Sequence, residues 1–294
     1  MDHTKAIASA EMLAALRAAA THERALAEPC QDTLAHRFVG PDLRRLAEFR
    51  PHFLLKHILR LRAPGSYPFA VARTRHFDQL LQAELRSGTL QVVMLGAGYD
   101  SRARRFAGEL ANVTVFELDH PATQARKRQL LDEAGLEWPD NVRFVPVDFA
   151  RENFGERLAA AGFEPRRRTL FLWEGVSYYL PEAAVASVLA FVATCAPGSA
   201  IAFDYAVRSF VAGDHSTYGG KQVARWLEEI GEPFLFGLNA EETAGFLEAH
   251  RLMLESDLGP KDVEHLYLRT RRGRTLGATL GHVRMALARV AALS

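Results

Sequence analysis

The sequence has almost no cysteine. Of its 294 residues only Cys30 and Cys195 are cysteines, far apart and without metal-ligand spacing. A disulfide framework and a zinc site are excluded on that count, no metal is expected, and a reducing interior fits best. Long apolar runs are missing as well. The longest, around residues 183–197, falls short of the roughly 20 residues a bilayer demands. The first residues include Asp2, Lys5 and Glu11 and lack the apolar centre of a secretion signal, so a cytoplasmic protein without a membrane partner is expected. Nor does one sign of charge dominate: 36 basic residues stand against 35 acidic ones. The short arginine runs at Arg166–Arg168 and between Arg269 and Arg274 read as solvated faces, and no nucleic-acid partner is implied. Internal repeats and low-complexity linkers are absent.

What is present belongs to an ordinary globular chain, 48% apolar and 24% charged, long enough for one α/β domain with additions. The chain is organised around Val92-Val93-Met94-Leu95-Gly96-Ala97-Gly98-Tyr99-Asp100-Ser101-Arg102. Apolar residues running into glycines read as a buried parallel strand that feeds a tight turn. Gly96 permits the turn, and Gly98 lets a ligand approach the backbone with no Cβ in the way. A helix expected over Ser101–Leu110 then offers free amides and its positive dipole end to an anionic group.

Upstream, alanine-rich residues 1–26 suit a helix, and further helices are expected over 32–38, 42–61 and 69–86. These make residues 1–88 a helical cover placed over a ligand site. Beyond it strands at Leu90–Leu95, Val113–Asp119, Val142–Val147, Thr169–Trp173 and Ser199–Tyr205 alternate with helices, as in a parallel, doubly wound sheet. Residues 89–294 therefore read as one domain, with a polar, glycine-containing, lid-like insertion at 206–233. Strands at Arg251–Asp257 and His282–Val290, the last one antiparallel, bring the sheet to seven.

Ligands of open doubly wound sheets bind at the carboxyl ends of the strands. Three of the first four strands end in an acid, Asp119, Asp148 or Glu174, and the other ends in Gly96-Ala97-Gly98. S-adenosyl-L-methionine gives each group a task. Its ribose diol donates to an acid about twenty residues past the glycines, Asp119 or, two residues earlier on the same strand face, Glu117. Its adenine amine needs an acceptor, Asp148, with Phe149 covering the ring or offering its amide. Its ammonium suits Glu174, and its carboxylate an arginine and the turn amides. Plainer uses compete: Asp148 as a helix N-cap, Arg73 as a surface arginine, Tyr178 or Tyr179 as packing, and His76, His120 and His215 as structural histidines.

The sequence resembles the leucine carboxyl methyltransferase-like group of S-adenosylmethionine-dependent O-methyltransferases over about residues 25–290. The resemblance rests on Arg73-Thr74-Arg75-His76-Phe77-Asp78, Leu95-Gly96-Ala97-Gly98-Tyr99-Asp100-Ser101-Arg102, Phe116-Glu117-Leu118-Asp119-His120-Pro121, Val145-Pro146-Val147-Asp148-Phe149 and Glu174-Gly175-Val176-Ser177-Tyr178-Tyr179-Leu180-Pro181, in that order. It implies a seven-stranded, Rossmann-like methyltransferase fold with helices over the site, and cofactor contacts from Arg73, Gly98, Asp119, Asp148, Phe149 and Glu174. Arg73 would pair with the methionine carboxylate. The family's eukaryotic members also use a lysine upstream of the arginine motif, which nothing here matches; Lys56 stands in no such motif.

A carboxylate acceptor is ionised at neutral pH and needs no base, whereas a phenol or alcohol does. His215 or a tyrosine would be the base, and neither is unambiguous, which favours a carboxyl or acidic phenol. Aromatic residues in and beside the insertion (Phe210, Tyr218, Trp226, Phe234, Phe236) point to a small, partly apolar acceptor. The pattern leaves a homo-oligomer open. The rival readings are an NAD-dependent dehydrogenase, against which the third glycine position holds Ser101, and a non-catalytic S-adenosylmethionine-binding protein.

Overall fold

The computed structural model describes residues 3–40, 60–149 and 152–291. The helix expected over 42–61, with Lys56, lies outside them. Helix α1 (His3–Thr21) opens the chain. In place of a helix over 32–38 there is a single 3₁₀ turn, Ala35–Phe38, and ahead of it the Asp32 carboxylate accepts from the Ala35 amide at 3.1 Å and from Ser101 Oγ at 2.6 Å. Helix α2 (Ser66–Arg86) follows the break at Gly65 and begins three residues before the expected start.

Strands β1 (Gln91–Leu95), β2 (Thr114–Asp119), β3 (Val142–Pro146), β4 (Thr169–Trp173) and β5 (Ala200–Val207) pair in parallel, in the order β3-β2-β1-β4-β5. Strands β7 (Leu252–Leu258) and β8 (Val283–Val290) complete the sheet, β8 antiparallel to both β5 and β7. The seven anticipated strands are joined by an eighth, β6 (Gly237–Leu238), two residues paired with the end of β5. Two residues carry no periodicity, so this strand had no signal in the sequence.

The central strands are buried on both faces, and their side chains alternate between two cores. Val92, Met94, Leu170, Leu172, Ala200 and Ala202 face one core. Val93, Leu95, Phe171, Trp173, Ile201 and Phe203 face the other, against Val185, Val188, Leu189 and Val192 of the helix Glu182–Val192. Helix α2 sends Phe69, Phe77 and Leu81 into the first core, where small Ala200 and Ala202 leave it room. Its Arg73, Arg75 and Asp78 are therefore buried too. Each has an ion pair (Glu174 and Asp204, Glu28, and Arg102 with Arg105, respectively), which is the condition for burying a charge.

Past the glycine turn the expected ten-residue helix is only α3 (Arg102–Arg105). Gly108 costs a helix about 1 kcal/mol relative to alanine, and Asp78 and Asp32 draw Arg105 inward. Little dipole is left to bind an anion. The insertion expected at 206–233 begins two residues later, because β5 runs on to Val207, and it contains the helices Arg208–Val211 and Gly220–Ile230. Among the described residues no helix is long and apolar enough to cross a membrane, and no His, Cys, Asp and Glu cluster could hold a metal ion.

Candidate active site

Strand order reverses between β1 and β4, whose neighbours lie on opposite sides, and the crevice past their carboxyl ends is where such sheets bind ligands. A cavity of about 710 Å³ sits there, within the size range of small-molecule sites. Arg73, Gly96, Ala97, Gly98, Asp119, Asp148, Phe149 and Glu174 all line it. The sheet brings the strand ends together, and helix α2 delivers Arg73 from the other side.

The turn is built on positive φ, +70° at Gly96 and +45° at Gly98. A Cβ on Gly96 would stand 2.5 Å from Val176 Cγ2. Asp119 closes the turn from β2: one carboxylate oxygen accepts from the Gly98 amide and the other from the His120 amide at 2.6 Å. Burial pushes its pKa upward against those two amides. Glu117 is not on this wall. It is buried in an ion pair with Lys127, 2.6 Å away, at the sheet's interior. Asp148 is on the wall and does not cap the helix that follows; Asn153 does, accepting from the Gly155 amide at 2.9 Å.

The other end of the cavity is an ion-pair network. Arg73 Nε lies 3.0 Å from Glu174 Oε1 and its Nη1 2.9 Å from Asp204 Oδ2, while Arg102 Nη1 reaches Glu174 Oε2 at 2.8 Å. Burial opposes charge on Glu174, but Arg102 and Arg73 outweigh it and hold its pKa below the usual range. Burial likewise opposes charge on Arg73, and Glu174 and Asp204 overcome it. Asp204 also accepts from the Gly175 amide at 2.7 Å, and the Tyr178 hydroxyl stands 3.4 Å from Arg73 Nη1. Arg73 Nε and Glu174 Oε2 are buried without a hydrogen bond of good geometry.

Several wall residues were not assigned a role from the sequence. Arg17 reaches the cavity from α1, held by Asp32 at 2.8 Å and by the Tyr99 carbonyl at 2.7 Å. Asp32, Arg105 and Glu232 line it too, as do Tyr178 and Tyr179, the pair expected as packing. Arg102 had a signal, its place in the glycine motif; Arg17 and Glu232 had none. The histidines divide. His120 is on the wall as the N-cap of the helix Pro121–Glu133. His76 lies outside it, its Nδ1 2.8 Å from the Tyr267 hydroxyl, and His215 packs on Phe210 away from the wall. Of the aromatic residues around 206–236, Phe234 touches the wall tyrosines, Tyr218 and Trp226 are exposed, and Phe236 is in the core.

The family model for leucine carboxyl methyltransferase matches residues 10–193, from α1 through β4 to the helix beyond it. The chain belongs to that family. YktD of Bacillus subtilis, named for S-adenosyl-L-methionine-dependent methyl transfer, is 30% identical over 236 residues, 80% of this chain and 76% of that protein. A similarly named protein of Mycobacteroides abscessus is 36% identical over 186 residues, 61% of this chain and 57% of its own length. In fold, the chain is similar to a Thermobifida fusca protein described as a methyltransferase, with a TM-score of 0.56, 16% identity and coverage of 83% and 90% of the two chains. This family member is an S-adenosyl-L-methionine-dependent methyltransferase, and the dehydrogenase reading falls away. The wall's chemistry suits that cofactor: the acids at its strand ends are acceptors of the kind hydroxyls and an amine require, and Arg73 Nε and Glu174 Oε2 are buried there without a well-formed hydrogen bond.

Proposed function

We propose that the protein methylates an oxygen, carboxylate or hydroxyl, of a small molecule, in specialised metabolism. One observation carries the reading. The Arg73–Glu174 end of the cavity adjoins an aromatic wall, Tyr178 and Tyr179, while Ala10, Leu13 and Arg17 of α1 close the space from above. A small, partly apolar acceptor fits between them.

In this reading Arg73 pairs with the methionine carboxylate and Glu174 with the ammonium, Gly96, Ala97 and Gly98 give the backbone close approach, Asp119 takes the ribose hydroxyls, and Asp148 and Phe149 hold the adenine. When bound, the cofactor supplies a methyl carbon on a positively charged sulfur. The chain's own work is positional: these groups fix one reactant while the tyrosine wall and α1 hold the acceptor oxygen in line at about 3 Å. Ala10, Leu13 and Arg17 of α1, with Glu232 at the end of the 206–233 insertion, contribute the cover.

Calorimetric titration with S-adenosylhomocysteine, on wild type, Asp119→Ala and Asp148→Ala, tests the cofactor assignments. Each variant is expected to lose about 10- to 100-fold in affinity, the worth of hydrogen bonds to a charged acceptor. Unchanged affinity in both would remove these residues from the site. Mass spectrometry of carboxylic acids and phenols incubated with the enzyme and S-adenosylmethionine then reads the gain of one methyl.

A further inference from the structure

We infer that Asp100 is a second carboxylate for the cofactor's methionine ammonium, binding it together with Glu174. The inference rests on the proposed placement of that ammonium at Glu174 and adds a residue to it.

Asp100 comes to the cavity through the glycine turn. Gly98 takes φ +45°, the Asp100 amide donates back to the Ala97 carbonyl at 2.7 Å, and the Asp100 side chain stands on the cavity wall. The start of α3 then fixes the carboxylate. Its Oδ1 accepts from the Arg102 amide at 2.7 Å, and its Oδ2 lies 2.5 Å from Arg102 Nη1. The same Nη1 stands 2.8 Å from Glu174 Oε2. One guanidinium nitrogen thus bridges two acids, one from the turn after β1 and one from the end of β4, and sets them within two short contacts of each other. Neither acid is sealed: their side chains keep 13% and 14% of their surface exposed, and both line the cavity. Helix α2 steadies the bridge, since Asp78 Oδ1 takes Arg102 Nε at 2.8 Å.

The chemistry of the pair suits an ammonium. An ionised carboxylate offers about four acceptor positions, and the two bonds from Arg102 leave Asp100 with capacity for another donor. Glu174 Oε2 has no well-formed hydrogen bond at all, and Arg73 Nε beside it, on a side chain 3% exposed, has none either. An ammonium carries three N–H donors, enough to reach an oxygen of each acid at once. Both acids are held ionised for it. Burial opposes charge on Asp100, but Arg102 and then Lys127 outweigh it and bring its pKa down to about 2. Glu174 is also held below the usual range, and there Asp100 works against the arginines, a repulsion that a cation between the two acids would relieve.

The test is calorimetric titration of wild type, Asp100→Asn and Glu174→Gln with three ligands. They are S-adenosylhomocysteine, its analogue with hydrogen in place of the amino group, and 5′-methylthioadenosine, which lacks the whole amino-acid end. D100N is expected to lose about 10- to 100-fold in affinity for S-adenosylhomocysteine, the worth of a hydrogen bond to a charged group, and little for the other two. Unchanged binding of 5′-methylthioadenosine shows that the variant is folded and its adenine and ribose seats intact. An equal loss for S-adenosylhomocysteine and the des-amino analogue overturns the inference, because Asp100 then acts through Arg102 and not on the ammonium. An amine-dependent loss in E174Q with none in D100N also overturns it and leaves the Glu174 placement standing. Losses independent of the amine in both variants overturn that placement itself. Should D100N fail to fold, Asp100→Glu keeps the charge and moves the carboxylate by one methylene. Its change in affinity is expected for S-adenosylhomocysteine alone, and a change shared by the des-amino analogue counts against the inference in the same way.

Discussion

The Arg73 guanidinium stands 3.0 Å from the Glu174 carboxylate, joining the middle of helix α2 to the end of strand β4. Through Asp204 the same guanidinium also holds β5, the next strand in the sheet, so one side chain clamps three elements beneath the cavity. The clamp carries structure and site together.

Arg73→Ala leaves the buried Asp204 with the Gly175 amide but no cation, and Glu174 with Arg102 alone. Removal of one partner from a buried pair costs about 3–5 kcal/mol, so a clear drop in unfolding free energy is expected in urea titration. Arg73→Lys keeps the charge but cannot bridge both acids in one plane, and its stability should fall between the two. Wild-type stability in R73A would mean that Arg102 suffices for Glu174 and that Asp204 needs no cation.

The glycine turn separates strain from collision. Gly96→Ala meets both a left-handed backbone, worth about 1–2 kcal/mol, and the Val176 methyl. Gly98→Ala meets only the first, since nothing lies closer than 3.9 Å to its Cβ. G96A should therefore be the less stable of the two, and Val176→Ala should rescue part of G96A while doing nothing for G98A. Equal rescue of both in a double-mutant cycle would contradict the assigned contact.

His76 sets a pH dependence of folding. Burial lowers its pKa from 6.5 to about 4, so the folded protein keeps the ring neutral while the unfolded chain protonates it near 6.5. Between those values the unfolded state binds more protons, and stability falls as pH drops from 6.5 toward 4. The full effect is roughly 3 kcal/mol, and His282, lowered to about 4 by burial, adds its own share in the same window. His76→Gln should flatten the slope of unfolding free energy against pH while leaving the slope that His282 contributes. An unchanged slope would mean that His76 is already charged in the folded state.

The legible parts of the sequence were local. Apolar runs that ended in acids marked β2, β3 and β4, and Gly96 and Gly98 marked the turn, because strand burial and positive φ leave their trace within a few residues. The helix after the turn was overread: Arg102 to Arg105 suit a helix, but Gly108 and the inward pull on Arg105 cut it to four residues. Glu117 remained an alternative to Asp119 on paper, two residues away on one strand. Lys127 separated them by taking Glu117 into the interior.

The sequence by itself determined the alternating sheet, the acids at its strand ends, the glycine turn and, through five motifs in order, the resemblance to a methyltransferase family. Each depends on spacing along the chain, which period-two burial and turn stereochemistry fix locally. Only the tertiary structure decided that α2 lies inside the core with its charges paired, that Arg17 enters the cavity from α1, and that Glu232 rather than His215 stands on its wall. Those are meetings between residues far apart in sequence. Which of many similar charges meet there is settled by how the two cores pack and by the need of every buried charge for a partner.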